Sequence, residues 1–155
     1  MPRTAVVTDS SACLPSQLAD GLGIVTVPLG LVVGDDVHAD GSLSPAELFR
    51  LADEAKRRVR TTSPAPAQFL DAYRRASDAG AGAVLCLTLS ARFSGTYESA
   101  VTARGLAEEE LPGLDVRVVD TGGLAMAHGF AVLAAARSLA DGASPHRPAG
   151  KAPPG

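Results

Sequence analysis

The sequence lacks several of the features that announce a function. It has only two cysteines in 155 residues, Cys13 and Cys86, far apart and in no Cys-x-x-Cys pair. A disulfide-built scaffold and a cysteine-based metal or redox motif are therefore excluded as organising principles. Cys86 sits in an apolar run, where a thiol behaves as a small hydrophobe. No secretory signal pattern opens the sequence, so both thiols are expected to be reduced and structural and the protein cytoplasmic. Positive charge is scarce too: 14 Lys and Arg against 17 Asp and Glu leave a net charge of −3. That balance offers no footprint for nucleic acid, whose binding rests on basic patches. The one basic run, Lys56-Arg57-Arg58-Val59-Arg60, falls where a helix is expected to end, and cations there complement the last carbonyls. The longest apolar stretch, Leu124 to Ala136, is interrupted by His128 and Gly129 and is too short to span a bilayer. No glycine-rich P-loop with its lysine is present, and no metal-ligand histidine pair; His38, His128 and His146 are scattered and read as structural or solvated.

What is present is a 46% apolar chain of one-domain length in which strand and helix signals alternate. Thr4 to Thr8 is short and β-branched, and Pro15 starts a helix through Leu22. Ile24 to Val33, broken by Pro28 and Gly30, reads as an irregular or edge strand that turns at Gly34-Asp35-Asp36 toward Val37 and His38. Ser44-Pro45-Ala46-Glu47 has the form of a capping box, with Leu48, Leu51, Ala52 and Ala55 following at helical spacing. A helix from Pro66 carries Phe69, Leu70, Tyr73 and Ala76 on one face and ends at Gly80-Ala81-Gly82. Ala83 to Leu89 is the continuous apolar run of a strand covered on both faces. A helix from Thr96 to Leu111, a strand over Val116 to Val119 and a helix from Leu124 to Ala140 complete the series. The pattern predicts an α/β domain over residues 1–142, a mostly parallel sheet flanked by helices. Residues 143–155 form a Pro/Gly/Ala-rich tail, expected to be disordered.

Ligands of such sheets bind beyond the carboxyl ends of the strands. The loops expected there are rich in hydroxyls: Asp9-Ser10-Ser11, Thr61 to Pro66, Ser90 to Thr96, and Asp120-Thr121. Ser94-Gly95-Thr96 opens a helix, whose first amides attract an anion, while Gly95 admits close approach to the main chain. Local pattern alone favours a plain serine cap over an anion site. Thr61-Thr62 before Pro64 and Pro66 likewise fits a rigid turn entering a helix.

Several motifs in order narrow these alternatives. Thr8-Asp9-Ser10-Ser11-Ala12-Cys13-Leu14-Pro15 resembles the opening signature of the DegV family. Thr61-Thr62-Ser63-Pro64-Ala65-Pro66 resembles its Thr-Ser-x-Pro-Ser-Pro element, and Phe93-Ser94-Gly95-Thr96-Tyr97-Glu98-Ser99-Ala100 its Ser-Gly-Thr-Tyr-x-Ser-Ala element. Val27-Pro28-Leu29, Asp40-Gly41 and Val118-Val119-Asp120-Thr121 fall in the same order, so the likeness covers roughly Arg3 to Gly142.

The resemblance implies a non-catalytic protein that buries a long-chain fatty acid between an N-terminal parallel-sheet domain and a C-terminal domain. It also implies presentation of the carboxylate to a fatty-acid kinase where one exists, with no metal or other cofactor. Carried over by position, Thr61, Thr62, Ser94 and Gly95 are the expected carboxylate contacts. Asp9, Ser10, Ser11 and Asp120 are supporting loop residues, Asp9 organising backbone amides. Thr62 stands where the family has serine and Ala65 where it often has another.

The family's C-terminal domain, with a histidine and an arginine for the head group, is expected to be absent. Burying about sixteen carbons contributes roughly 12 kcal/mol at about 0.8 per methylene. Half of that is comparable to the association cost of about 4–15 kcal/mol, so isolated binding is expected to be weak or lost. Two other readings stay open: a phosphate- or nucleotide-handling α/β enzyme using the Ser94 helix start, and a nonfunctional remnant that self-associates through an uncovered apolar face.

Overall fold

A computed structural model describes residues 2–56 and 58–142; Arg57, His146 and the tail expected over 143–155 lie outside the described residues. The chain forms β1 (Arg3–Asp9), a 3-10 turn (Ser10–Ala12), α1 (Ser16–Gly21), β2 (Ile24–Val27), β3 (Gly30–Val33), β4 (Asp36–Ala39) and α2 (Pro45–Ala55). It continues through β5 (Arg60–Thr62), α3 (Pro66–Asp78), β6 (Ala81–Thr88), α4 (Thr96–Glu110), β7 (Asp115–Asp120) and α5 (Met126–Ala140).

The main sheet has four parallel strands in the order β2-β1-β6-β7. Its two central strands are buried along most of their length because helices cover both faces. On one face Phe69, Tyr73 and Ala76 of α3 and Ala100, Ala103 and Ala107 of α4 close over Val7, Val84 and Cys86. Alanine on α4 lets that helix sit close to the strands, and the phenol of Tyr73 donates to the Ala100 carbonyl at 3.1 Å. Burial, with Cys86 beside it, raises the Tyr73 phenol far above its ordinary value; burial likewise pushes the Cys86 thiol up to about 12, so that it stays a thiol. On the other face Ala19 of α1 and Val132, Leu133 and Ala136 of α5 pack on Val6 and Leu87. At Gly129 of α5 an added Cβ would lie 2.4 Å from the Ala12 carbonyl, so glycine there lets the helix meet the turn after β1.

The expected strand over Ile24 to Val33 is in fact two strands in two sheets. Pro28, which has no N–H to donate, ends β2 at the edge of the main sheet, and β3 then pairs antiparallel with β4 and β5. This small sheet, order β4-β3-β5, is the part of the architecture that the alternating pattern did not reveal. Thr61 and Thr62, read as a turn, belong to β5. The basic run is divided: α2 ends at Ala55, Lys56 turns left-handed at φ 47°, and Arg60 opens β5.

Candidate functional site

Between β1 and β6 the chain direction of the sheet divides: α1 leads from β1 outward to β2, and α4 leads from β6 outward to β7. The carboxyl ends of β1 and β6 therefore border the crevice where sheets of this kind take ligands. Asp9 stands at the end of β1 and is fully buried. Its Oδ1 accepts from the amide of Ser11 at 3.0 Å and from the Ser11 hydroxyl; its Oδ2 accepts from the amide of Leu89 at 2.9 Å and faces His128 Nε2 at 3.4 Å. Burial by itself would raise this carboxyl, but the bonds from His128, Ser11 and Leu89 outweigh it and hold Asp9 below its ordinary value of 3.8. Asp9 thus joins the turn after β1 to the loop after β6, as an organiser of backbone amides.

The neighbouring loops are fastened in the same manner. Ser10 accepts on its hydroxyl from the amide of Leu29 at 3.0 Å, which anchors the crossing at Pro28. Asp120, exposed at the end of β7, accepts from the amides of Ala91 at 3.2 Å and Gly122 at 2.9 Å. The amide of Ser90 donates to the Gly123 carbonyl at 3.0 Å, which bonds the loops after β6 and β7 to each other. A cavity of about 190 Å³ opens beside Asp9, lined also by Ser10, Leu14, Thr26, Asp40 and Gly41.

Ser94 is the hub of the hydroxyl cluster at the start of α4. Its Oγ lies 3.0 Å from Ser63 Oγ and 2.8 Å from Thr96 Oγ1, and it accepts from the Thr96 amide at 3.2 Å. The cap position itself is Gly95, without a side-chain cap bond, so Ser94 stands one residue before it and bonds the first helical residue instead of capping α4 as the serine-cap reading expected. Gly95 is exposed, with φ −75°, and an added Cβ would make only ordinary contact, 3.5 Å from Ser63 Oγ. Nothing inside the described fold demands glycine there; what it leaves open is the space above the helix start. Thr61 and Thr62 are exposed on β5, and successive strand residues point to opposite faces. The Thr62 methyl covers Gly30, its cross-strand partner, where an added Cβ would meet it at 2.4 Å.

The structure thus brings Ser94, Gly95 and the 61–66 element together, but Ser63 makes the direct bond to Ser94. Ser63 occupies the position that the motif leaves unspecified, and only the distance to Ser94 identifies it. Thr96 was visible as part of the helix start. His128 and Thr121, whose side chains meet at 3.2 Å, were not legible as partners, since they join strand ends far apart in sequence. Among the described residues no cluster of three or more His, Cys, Asp or Glu could hold a metal ion, and no helix is long and apolar enough to cross a membrane.

Phe93, next to Ser94 in the chain, and Leu124 and Met126, which follow β7, are apolar side chains left exposed. The family model described as "Uncharacterised protein, DegV family" matches residues 3–150. A DegV domain-containing protein of Streptomyces coelicolor is 41% identical over 140 residues, which are 90% of this chain and 48% of that protein. Two solved structures are also similar. One, a DegV family protein from Thermus thermophilus described by its fatty acid binding, has TM-score 0.80 and 35% identity over 92% of this chain and 49% of that one. The other, DegV, a fatty acid binding protein from Bacillus subtilis, has TM-score 0.83 and 26% identity over 94% and 50%. The chain spans about half the length of the curated relatives it matches.

Proposed function

The chain belongs to the DegV family, and on that premise we propose that it is a non-catalytic lipid-binding domain that holds a long-chain fatty acid by its carboxylate. The single observation that carries the reading is the start of α4, where Ser94 is bonded to Ser63 and Thr96 beside an exposed Gly95 that no internal contact requires. The Ser94 hydroxyl and the first amides of α4 supply neutral donors; Thr61 and Thr62 leave opposite faces of β5, and of the two we assign Thr62 to the anion. Asp9, Ser10, Ser11 and Asp120 keep the loops in place and stay off the anion. Donors without a formal charge hold a carboxylate while leaving it able to pass to another protein, and we assign the acid as a substrate offered to a fatty-acid kinase.

Exposed Phe93, Leu124, Met126 and Phe130 supply apolar surface for the acyl chain at or near the same end of the sheet. Because the relatives are about twice as long, the 155-residue chain alone is assigned weak binding, and an uncovered apolar face also favours self-association. Native mass spectrometry of the chain titrated with a saturated sixteen-carbon acid tests the reading. Ser94→Ala and Thr62→Val, which each remove one hydroxyl, are expected to weaken binding about ten- to hundredfold, the effect of losing a bond to a charged group worth about 1.5–3 kcal/mol. Equal affinity in wild type and both variants would remove these residues from the site; no adduct at any concentration would sink the lipid reading for this chain.

A further inference from the structure

Six polar residues are buried among the described residues, Thr8, Asp9, Thr88, Ser90, Thr96 and His128, and all lie at the carboxyl end of the main sheet. Five of their side chains are bonded. Thr8 donates to the Leu87 carbonyl at 2.9 Å, Asp9 accepts from the amides of Ser11 and Leu89, Ser90 Oγ accepts from the Arg92 amide at 3.3 Å, Thr96 Oγ1 bonds Ser94, and His128 meets Thr121. Thr88 is the exception: its Oγ1 is fully covered and has no hydrogen-bond partner. The main chain around it is held in place, since the Thr88 carbonyl accepts from the Thr121 amide at 3.1 Å and from the Thr121 hydroxyl at 2.8 Å. A buried hydroxyl without a partner costs stability, and valine, of the same shape, would fill this place without that cost.

Strand residues alternate in face, so Thr88 shares the side of β6 that bears Val84 and Cys86, which α3 and α4 cover. The Tyr73 phenol bonds the Ala100 carbonyl and lies against Cys86, which sets Cys86 level with Ala100. Helix α4 joins two parallel strands and runs back against β6. Two residues onward in β6, about 7 Å, therefore correspond to roughly one turn back in α4, about 5 Å. Thr88 thus stands beneath the first turn of α4, where Thr96 is fully buried. We propose that Thr88 is the innermost determinant of the head-group site, its hydroxyl donating to an oxygen of the carboxylate held at the start of α4. This assignment rests on the lipid reading. The hydroxyls of Ser63, Ser94 and Thr96 bond one another, so each exchanges a protein partner for the ligand. Thr88 gains a bond outright, and its share of the affinity is larger for that reason. The carboxylate reaches it by parting Ser94 from Ser63.

Thr88→Val, which exchanges the hydroxyl for a methyl group, and Thr88→Ser, which keeps the hydroxyl, test the proposal in the 155-residue chain beside wild type. Without acid, the urea midpoint of Thr88→Val is expected to rise, because an unpartnered group is removed. In native mass spectrometry with the saturated sixteen-carbon acid, the same variant is expected to bind about ten- to hundredfold more weakly, the effect of losing a hydrogen bond to a charged group. Thr88→Ser is expected to bind as wild type does. A gain in stability joined to a loss of affinity is a pair of changes that a merely structural threonine would not produce. A lower midpoint for Thr88→Val, or its failure to fold, would give the hydroxyl a partner inside the protein and overturn the proposal. Equal weakening in Thr88→Ser would assign the effect to the methyl group and overturn it as well. Wild-type affinity in Thr88→Val would remove Thr88 from the site and leave the lipid reading standing. A wild-type chain that takes up no acid at any concentration would sink the lipid reading, and the assignment of Thr88 with it.

Discussion

The four-stranded parallel sheet and the small antiparallel sheet are built from similar residue types and behave as different materials. In the first, apolar side chains are closed in from both faces, and strand ends are tied together by Asp9 and His128. In the second, α2 buries none of its residues, β5 is exposed throughout, and Phe49 and Val37 remain 73% and 64% exposed. The helix is nevertheless well specified locally: Ser44 and Glu47 form a complete capping box, with Pro45 in the first turn. Local signals therefore define an element, while burial determines most of the stability it contributes. The site draws on both regions, Ser94 from the rigid sheet and Thr61 to Ser63 from the lightly packed one.

Acidification should act most strongly, and on the sheet body. Asp9 is depressed below 3.8 in the folded chain, so its stabilising contribution is complete above that ordinary value and is lost as pH falls through the lower, folded one. Denaturant midpoints measured from neutral to strongly acidic pH are expected to fall across that window. Ser11→Ala, which deletes one donor to Oδ1, brings the folded value nearer the ordinary one, so the fall should be smaller and end at higher pH; identical acid limbs would deny that the Ser11 bond depresses Asp9.

Two phenylalanines separate the regions more directly. Phe69 is fully buried beside Tyr73, at 6.4 Å between ring centroids, and Phe69→Ala is expected to cost about 3–5 kcal/mol. Phe49→Ala is expected to stay within about 0.5 kcal/mol. Comparable losses in urea melts would mean that α2 is packed far more tightly than its exposure indicates.

A smaller contrast uses equal distances with different neighbours. An added Cβ would approach to 2.4 Å at Gly129 and at Gly30, but against the Ala12 carbonyl in the first case and the exposed Thr62 methyl in the second. Gly129→Ala must displace backbone and is expected to cost about 1–3 kcal/mol. Gly30→Ala needs a turn of the Thr62 side chain and a small shift of the exposed Val37, whose Cγ1 would lie 3.1 Å away, and should cost less while altering the region assigned to the head group. The reverse ranking by thermal melting would place the rigid part of the molecule in the small sheet.

The sheet body was legible in the sequence because its signals are local and periodic: the run Ala83 to Leu89 and the stripes of Phe69 and Ala100 state which face is covered. The small sheet was not, because β3, β4 and β5 are at most four residues long and owe their pairing to partners that periodicity does not identify. For the same reason Thr61 and Thr62 read as a turn. In the site, Ser94 and Asp9 stood out by motif and by position at strand ends. Ser63 and His128 did not, since their significance lies in distances to residues 31 and 119–120 positions away.

Ser44→Ala gives the smallest effect and the sharpest test of the contrast. Removing an N-cap costs a helix about 1 kcal/mol, yet a loss in an element that unfolds locally need not enter the global transition. The substitution deletes the acceptor of the Glu47 amide at 3.2 Å and one hydroxyl donor to the Glu47 carboxylate at 2.7 Å; the Ser44 amide still bonds that carboxylate at 2.8 Å. Hydrogen exchange is expected to quicken about fivefold for the amides of α2 and to leave β1 and β6 unchanged, with the global melting point hardly moved. If β1 and β6 slacken in proportion, α2 unfolds together with the main sheet, and the two regions form one cooperative unit despite their different burial.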